Sequence, residues 1–147
     1  MRNFRNYEIW QHAVDVAVSV SALCERFPKY ELFALSDQLR RASVSISSNI
    51  AEGASRTSVA EFAHYLEISI GSAFEVETQL LIARKRNYIT EEEYEKLVTE
   101  LQSLERQINT FISKLRQKQP LKTNRRQTES NQACLNCRGA EEEKPTK

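Results

Sequence analysis

The residues of this 147-residue chain that could do chemistry are few: two histidines, three cysteines, and groups of carboxylates and arginines. Cys134-Leu-Asn-Cys137 has the spacing of half a zinc site. Zinc takes four ligands, and neither a second pair nor a histidine stands near it in sequence, so only sharing between chains would complete it. Glu61-Phe-Ala-His64 has the Glu-x-x-His spacing of carboxylate metal bundles, with Glu67, Glu75 and Glu77 following on the same helix. Such bundles need that motif on two helices, and here it occurs once, with Glu61 already engaged at a helix start. His12 and His64 fall on different predicted helices, with no serine or cysteine beside either as a nucleophile. The sequence therefore assigns no catalytic residue, no metal and no cofactor. More informative are Gln38, Arg40, Arg41, Asn49 and Glu52, complementary polar groups on one helix, and Glu75 on the next. Groups of this kind form a polar network that fixes helix register or a subunit contact.

The helix that carries them is the one the other segments must hold in place. Leu32, Leu35, Leu39, Ala42, Ile46 and Asn49 recur at steps of three and four, one stripe of an α-helix. A second stripe, Gln38, Arg41, Ser45, Ser48 and Glu52, is polar and small. Serines at 43, 45, 47 and 48 compete for backbone hydrogen bonds, so packing has to hold the segment helical. Asn49 falls in the apolar stripe, where a polar group needs a partner. The pattern predicts this helix from near Tyr30 to Ala51, with Gly53 as a left-handed C-terminal cap.

The neighbours follow the same logic. Trp10, Val14, Ala17, Ser21 and Cys24, widened by Ile9, Ala13 and Val20, predict helix one from about Tyr7 to Arg26, ended by Phe27-Pro28. Ser58-Val-Ala-Glu61 and Thr90-Glu-Glu-Glu93 are capping boxes that open helices three and four. Phe62, Leu66, Ser69, Ala73, Val76, Leu80 and Ala83 mark the core face of the third. Tyr94, Leu97, Leu101, Leu104, Ile108, Phe111 and Leu115 mark that of the fourth. A mid-helix glycine costs about 1 kcal/mol relative to alanine, so Gly71 predicts a close approach by helix two.

Four amphipathic helices joined by short loops predict an all-α fold, an antiparallel up-down-up-down four-helix bundle over residues 1–118. The stretch 119–147 mixes Thr, Asn, Gln, Arg and Glu with almost no apolar residue and is expected to be a disordered polar tail. A net charge of +1 excludes strong global attraction to nucleic acid or an anionic membrane and leaves room for local basic patches. Unpatterned cysteines in odd number argue against a secreted disulfide framework, and no run reaches the roughly 20 apolar residues of a membrane span. A cytoplasmic location is expected.

The run FPKYELFALSDQLRRASVSISSNIAEG followed by EFAHYLEISIGSAFEVETQL resembles a four-helix-bundle family first noticed as open reading frames within intervening sequences of bacterial 23S ribosomal RNA genes. The resemblance rests on Trp10; Phe27, Pro28 and Glu31; Gln38 to Ala42; Asn49 to Gly53; and Gly71, Ser72, Glu75, Gln79 and Leu80. Ala34 stands where glycine is common, and Ser47 where proline is. The resemblance implies a homopentameric ring and a distant similarity to the accessory variability protein of diversity-generating retroelements, which binds nucleic acid and a reverse transcriptase. Arg5 and His12 are spaced somewhat like the arginine-histidine pair of helical endoribonucleases, although there the pair introduces a later helix.

These readings lead to an expected function: a non-enzymatic, homo-oligomeric nucleic-acid-binding or scaffold protein, with RNA ahead of DNA. A protein-interaction ring for a partner such as a reverse transcriptase is the alternative, and a helical endoribonuclease the third reading. Contacts to phosphate are expected from cations near the chain ends: Arg2 and Arg5 before helix one, and Arg116, Lys118, Lys122, Arg125 and Arg126, a run free of acids.

Overall fold

Two reciprocal hydrogen bonds open the last helix. The Thr90 amide donates to Glu93 Oε2 (3.0 Å) and the Glu93 amide to Thr90 Oγ1 (3.2 Å), the expected capping box. At Ser58 the Glu61 amide donates to the serine Oγ at 3.4 Å. The computed structural model describes residues 2–117, with helices α1 (Glu8–Cys24), α2 (Leu35–Ser55), α3 (Val59–Lys85) and α4 (Glu91–Gln117). Single 3-10 turns at Phe4–Asn6 and Lys29–Glu31 precede α1 and α2. The described residues contain no strand, and α1 packs on α2, α2 on α3, α3 on α4 and α4 back on α1. The fold is the expected up-down-up-down bundle. The expected tail, with Lys118, Lys122, Arg125, Arg126, Cys134 and Cys137, lies outside the described residues.

The core follows the apolar periodicity closely in the second half of the chain. All seven α3 positions from Phe62 to Ala83 are buried, as are Leu97, Leu101, Leu104 and Ile108 of α4, joined by Ile112. Tyr94, Phe111 and Leu115 lean on the core half-buried. In α1 the central line is Ile9, Ala13, Val16, Val20, Leu23 and Cys24, and Trp10, Val14, Ala17 and Ser21 move to its flank. A helix wedged between two neighbours buries the face that bisects them, which shifts the line from the one with the tidiest spacing.

In α2 the stripe also shifts. Leu32 lies exposed in the turn before the helix, because α2 begins only at Leu35, whose amide donates to Glu31 Oε2 at 3.3 Å. Glu31 is buried, pairs with Arg86 at 2.5 Å and accepts from Tyr88 Oη at 3.0 Å. Asn49 sits half-buried at the edge of the core face and donates to the Ser45 carbonyl and Oγ. Ser45 reaches Ser72 (2.9 Å), and Ser69 Oγ donates to the Ile46 carbonyl (2.9 Å), so the serines join α2 to α3.

Both glycine expectations are overturned, and they exchange roles. Gly53 is inside α2 with no positive φ, so it is not a left-handed cap. A Cβ there would stand 2.7 Å from Tyr65 Cβ and 2.8 Å from Phe62 Cδ2. Gly71 has nothing within 4 Å of its Cβ position. The short connection at residues 56–58 forces α2 and α3 together at that end, so the close approach occurs there and not at mid-helix. The left-handed position is used by Asn87 (φ 59°), after α3, where Tyr88 donates to the Ala83 carbonyl at 2.9 Å.

Candidate nucleic-acid interface

An up-down-up-down path of four helices brings the start of α1, the end of α2, the start of α3 and the end of α4 to one end of the bundle. Arg2, Arg5, Arg56, Lys114 and Arg116 therefore share that end with the carboxylates Glu8, Glu52, Glu61 and Glu67. The described end is only weakly basic. The run from Lys118 to Arg126 continues from it in sequence.

The cations there are held differently. Arg2 donates through Nη1 to the Arg56 carbonyl and lies over the Phe62 ring at 5.2 Å, which ties the N-terminal segment to the α2–α3 connection. Arg5 is exposed, with its guanidinium 4.8 Å from the Phe4 ring. Arg116 pairs with Glu67 at 2.6 Å, so a phosphate would have to compete with that carboxylate. Sequence reasoning missed Arg56, which pairs with Glu52 at 2.6 Å and lies 4.7 Å from the Tyr65 ring. Tyr65 Oη donates to Glu52 Oε1 at 2.9 Å. Desolvation pulls the Arg56 pKa down, and Tyr65 and Glu52 more than offset it, leaving the group above its ordinary value.

Beside this cluster, a groove of about 500 Å³ runs between the start of α1 and the second half of α4. Tyr7 and Phe111, 5.0 Å apart between centroids, form its apolar part, and Arg106, Gln107 and Lys114 line the α4 side. Glu8 is the single carboxylate in the lining. These α4 positions were legible as a stripe at steps of one, three and four, but the reading followed the apolar heptad and passed over it. Next to Arg106, the Glu105 carboxyl is pushed above its ordinary range by partial burial and by the charge of Glu77.

The other sequence candidates separate. His12 Nδ1 meets Gln107 Oε1 at 3.2 Å, while the Arg5 guanidinium lies against Phe4, so the two groups of the ribonuclease reading go to different partners. Gln38, Arg40, Arg41, Asn49, Glu52 and Glu75 do not make one network. Glu52 belongs to the Arg56 cluster, Asn49 to the serine seam, and Arg41 stands 3.9 Å from Asp37. Gln38, Arg41 and Glu75 line one shallow depression with Ala42 and Ser45. Arg40 is half-buried near Cys24, whose thiol burial pushes up in pKa and Arg40 draws partly back. Among the described residues no three His, Cys, Asp or Glu side chains gather as a metal site, and Glu61 and His64 are both exposed. No helix of the described residues is long and apolar enough to cross a membrane.

Comparison with known proteins bears on the whole bundle. No curated protein matches the chain. A solved structure from Bacteroides thetaiotaomicron VPI-5482, described as a protein of unknown function from the S23 ribosomal protein family, is 27% identical, with a TM-score of 0.66. The match covers 71% of this chain and 97% of that one. The family model of the 23S rRNA-intervening sequence protein matches residues 5–110. With nearly the whole bundle matched, the chain belongs to the family of 23S rRNA-intervening sequence proteins.

Proposed function

We propose that this chain is a non-enzymatic, homo-oligomeric nucleic-acid-binding protein of the cytoplasm, with RNA its ligand ahead of DNA. The observation that carries the reading is the convergence of Arg2, Arg5, Arg56, Lys114 and Arg116 at the end of the bundle from which the basic run Lys118–Arg126 continues. Cations gathered at one end can meet a phosphate backbone although the net charge is only +1. The family's association with 23S rRNA intervening sequences favours RNA.

Self-association is supported by two separate apolar surfaces. The outer side of α3 exposes Ile68, Phe74 and Ile82, and the turn before α2 exposes Tyr30, Leu32 and Phe33, the last at 90%. Two different patches are what a head-to-tail contact uses, and such a contact builds a ring when its rotation closes; five subunits is the number the family resemblance implies. A ring repeats one weak site in every subunit and multiplies affinity.

The test is binding of a labelled single-stranded RNA over a salt series. Log affinity should fall by about 0.7 per log salt for each phosphate neutralised. Replacing Lys118, Lys122, Arg125 and Arg126 by serine should flatten the slope while the melting temperature holds. Absence of binding at low salt would overturn the reading. The exposed Phe33 favours a second one, a ring that docks another protein, and loss of partner capture in Phe33→Ser with RNA binding absent would support that instead.

A further inference from the structure

We propose that the groove between α1 and α4 seats one nucleotide of a single-stranded RNA, with its base against Tyr7 and Phe111 and its flanking phosphates on Arg106 and Lys114. The inference rests on the nucleic-acid reading above and names where on the bundle such a ligand sits. It is independent of the basic run that follows the bundle.

The chemistry of the groove matches a nucleotide more closely than a peptide or an apolar ligand. Its volume, about 500 Å³, lies within the range of roughly 300–1,000 Å³ of small-molecule sites. Tyr7 and Phe111 are both half-buried, anchored on Phe62 at 6.1 and 5.8 Å, so they offer a rigid apolar edge that costs little to order. Single-stranded nucleic acids bind by this combination, a base on an aromatic side chain with cations along the backbone. Arg106 precedes Phe111 by five residues and Lys114 follows it by three, so cations stand on both sides of the aromatic pair. Neither makes an ion pair among the described residues, unlike Arg56 and Arg116.

Three polar side chains of the α4 wall, Arg106, Gln107 and Lys114, push in the same direction. Gln107 Oε1 meets His12 Nδ1 at 3.2 Å, and with the amide in that orientation its NH2 is the donor left for a ligand. Arginine, lysine and that NH2 are all donors, and a base carbonyl with its phosphates is all acceptor. Uracil, with two carbonyl oxygens, fits this better than adenine, which has none. Glu8 is the one lining group that opposes an anion, and it sits in the first turn of α1, where the helix dipole offsets its effect.

The experiment uses the full chain and a 4-thiouridine-substituted oligouridine, with an oligoadenosine of equal length as competitor. Irradiation should crosslink Tyr7 or Phe111, mapped by mass spectrometry, and the competitor should displace the probe less well than oligouridine. The double variant Arg106→Glu, Lys114→Glu alters two exposed side chains and should melt as the parent does. It should bind about tenfold or more weakly, with a salt slope lower by about 1.4 for two lost phosphates. Parent protein that binds the probe while the variant binds equally well, or crosslinks confined to residues beyond Gln117, would overturn the groove and leave the nucleic-acid reading standing. A parent that binds no RNA at low salt would overturn both.

Discussion

A Cβ on Gly53 would stand 2.7 Å from the Cβ of Tyr65, so α2 and α3 touch backbone to side chain where they meet. Gly53→Ala should therefore destabilise the bundle by about 1–3 kcal/mol through overpacking, less the gain of up to about 1 kcal/mol in helix propensity. Gly71→Ala, in open space, should stabilise by about 0.5–1 kcal/mol. Chemical denaturation of the two variants reads both signs, and equal shifts would contradict the geometry.

Glu31 holds three groups at once: the Arg86 guanidinium, Tyr88 Oη and the first amide of α2. Glu31→Ala should cost about 1–3 kcal/mol, because the half-buried Tyr88 hydroxyl and the first amide of α2 lose their acceptor. Arg86, itself half exposed, adds little. Arg86→Ala should cost less than Glu31→Ala, and thermal melts of the pair check the order.

Two glutamates should give opposite pH behaviour. The Glu93 carboxyl is held below its ordinary 4.5 by the Thr90 amide and then by Arg26. Its contribution is present above 4.5 and lost as pH falls through the lower folded value. Glu93→Gln should destabilise at pH 7, with the difference closing in acid. Glu105 is raised above 4.5 by burial and Glu77, so its ionisation opposes folding once pH passes its folded value. Glu105→Gln should stabilise at pH 7 and lose that advantage below about 4.5. Denaturation midpoints from pH 3 to 7 measure both.

The exposed side chains of α3 give a test of assembly separate from RNA. Phe74→Glu with Ile82→Glu places charge on an outer face without touching the core. The variant should move to a smaller mass in light scattering, with helix content by circular dichroism unchanged. An unchanged mass would take α3 out of the contact.

Much of the fold was legible because α3 and α4 carry one clear apolar line each, and because Thr90 and Glu93 write their own helix start. The roles of Gly53 and Gly71 were not legible. A glycine's meaning depends on which neighbour comes close, and that is fixed by a three-residue connection and not by helical spacing. Glu31 looked like one letter of a family pattern and accepts the first amide of α2 from the preceding turn, which periodicity cannot reveal because Glu31 lies outside the helix. Of the site, Arg2, Arg5 and Arg116 were readable as cations near the termini. Lys114 stands two residues before Arg116 on the same helix; Arg56 joins them only through the antiparallel path, and Arg106 becomes notable only once Tyr7 is across from Phe111.

The shared end of the bundle matters for anyone who handles this protein. Because the chain enters the bundle at the end that holds Arg5, Arg56 and the groove, an N-terminal affinity tag is attached beside them. An acidic tag there would compete with an anionic ligand for those cations. Fluorophores and surface-immobilisation sites belong at the opposite end, on an exposed side chain such as Lys85, about forty ångströms of helix away by the 1.5 Å rise of α4.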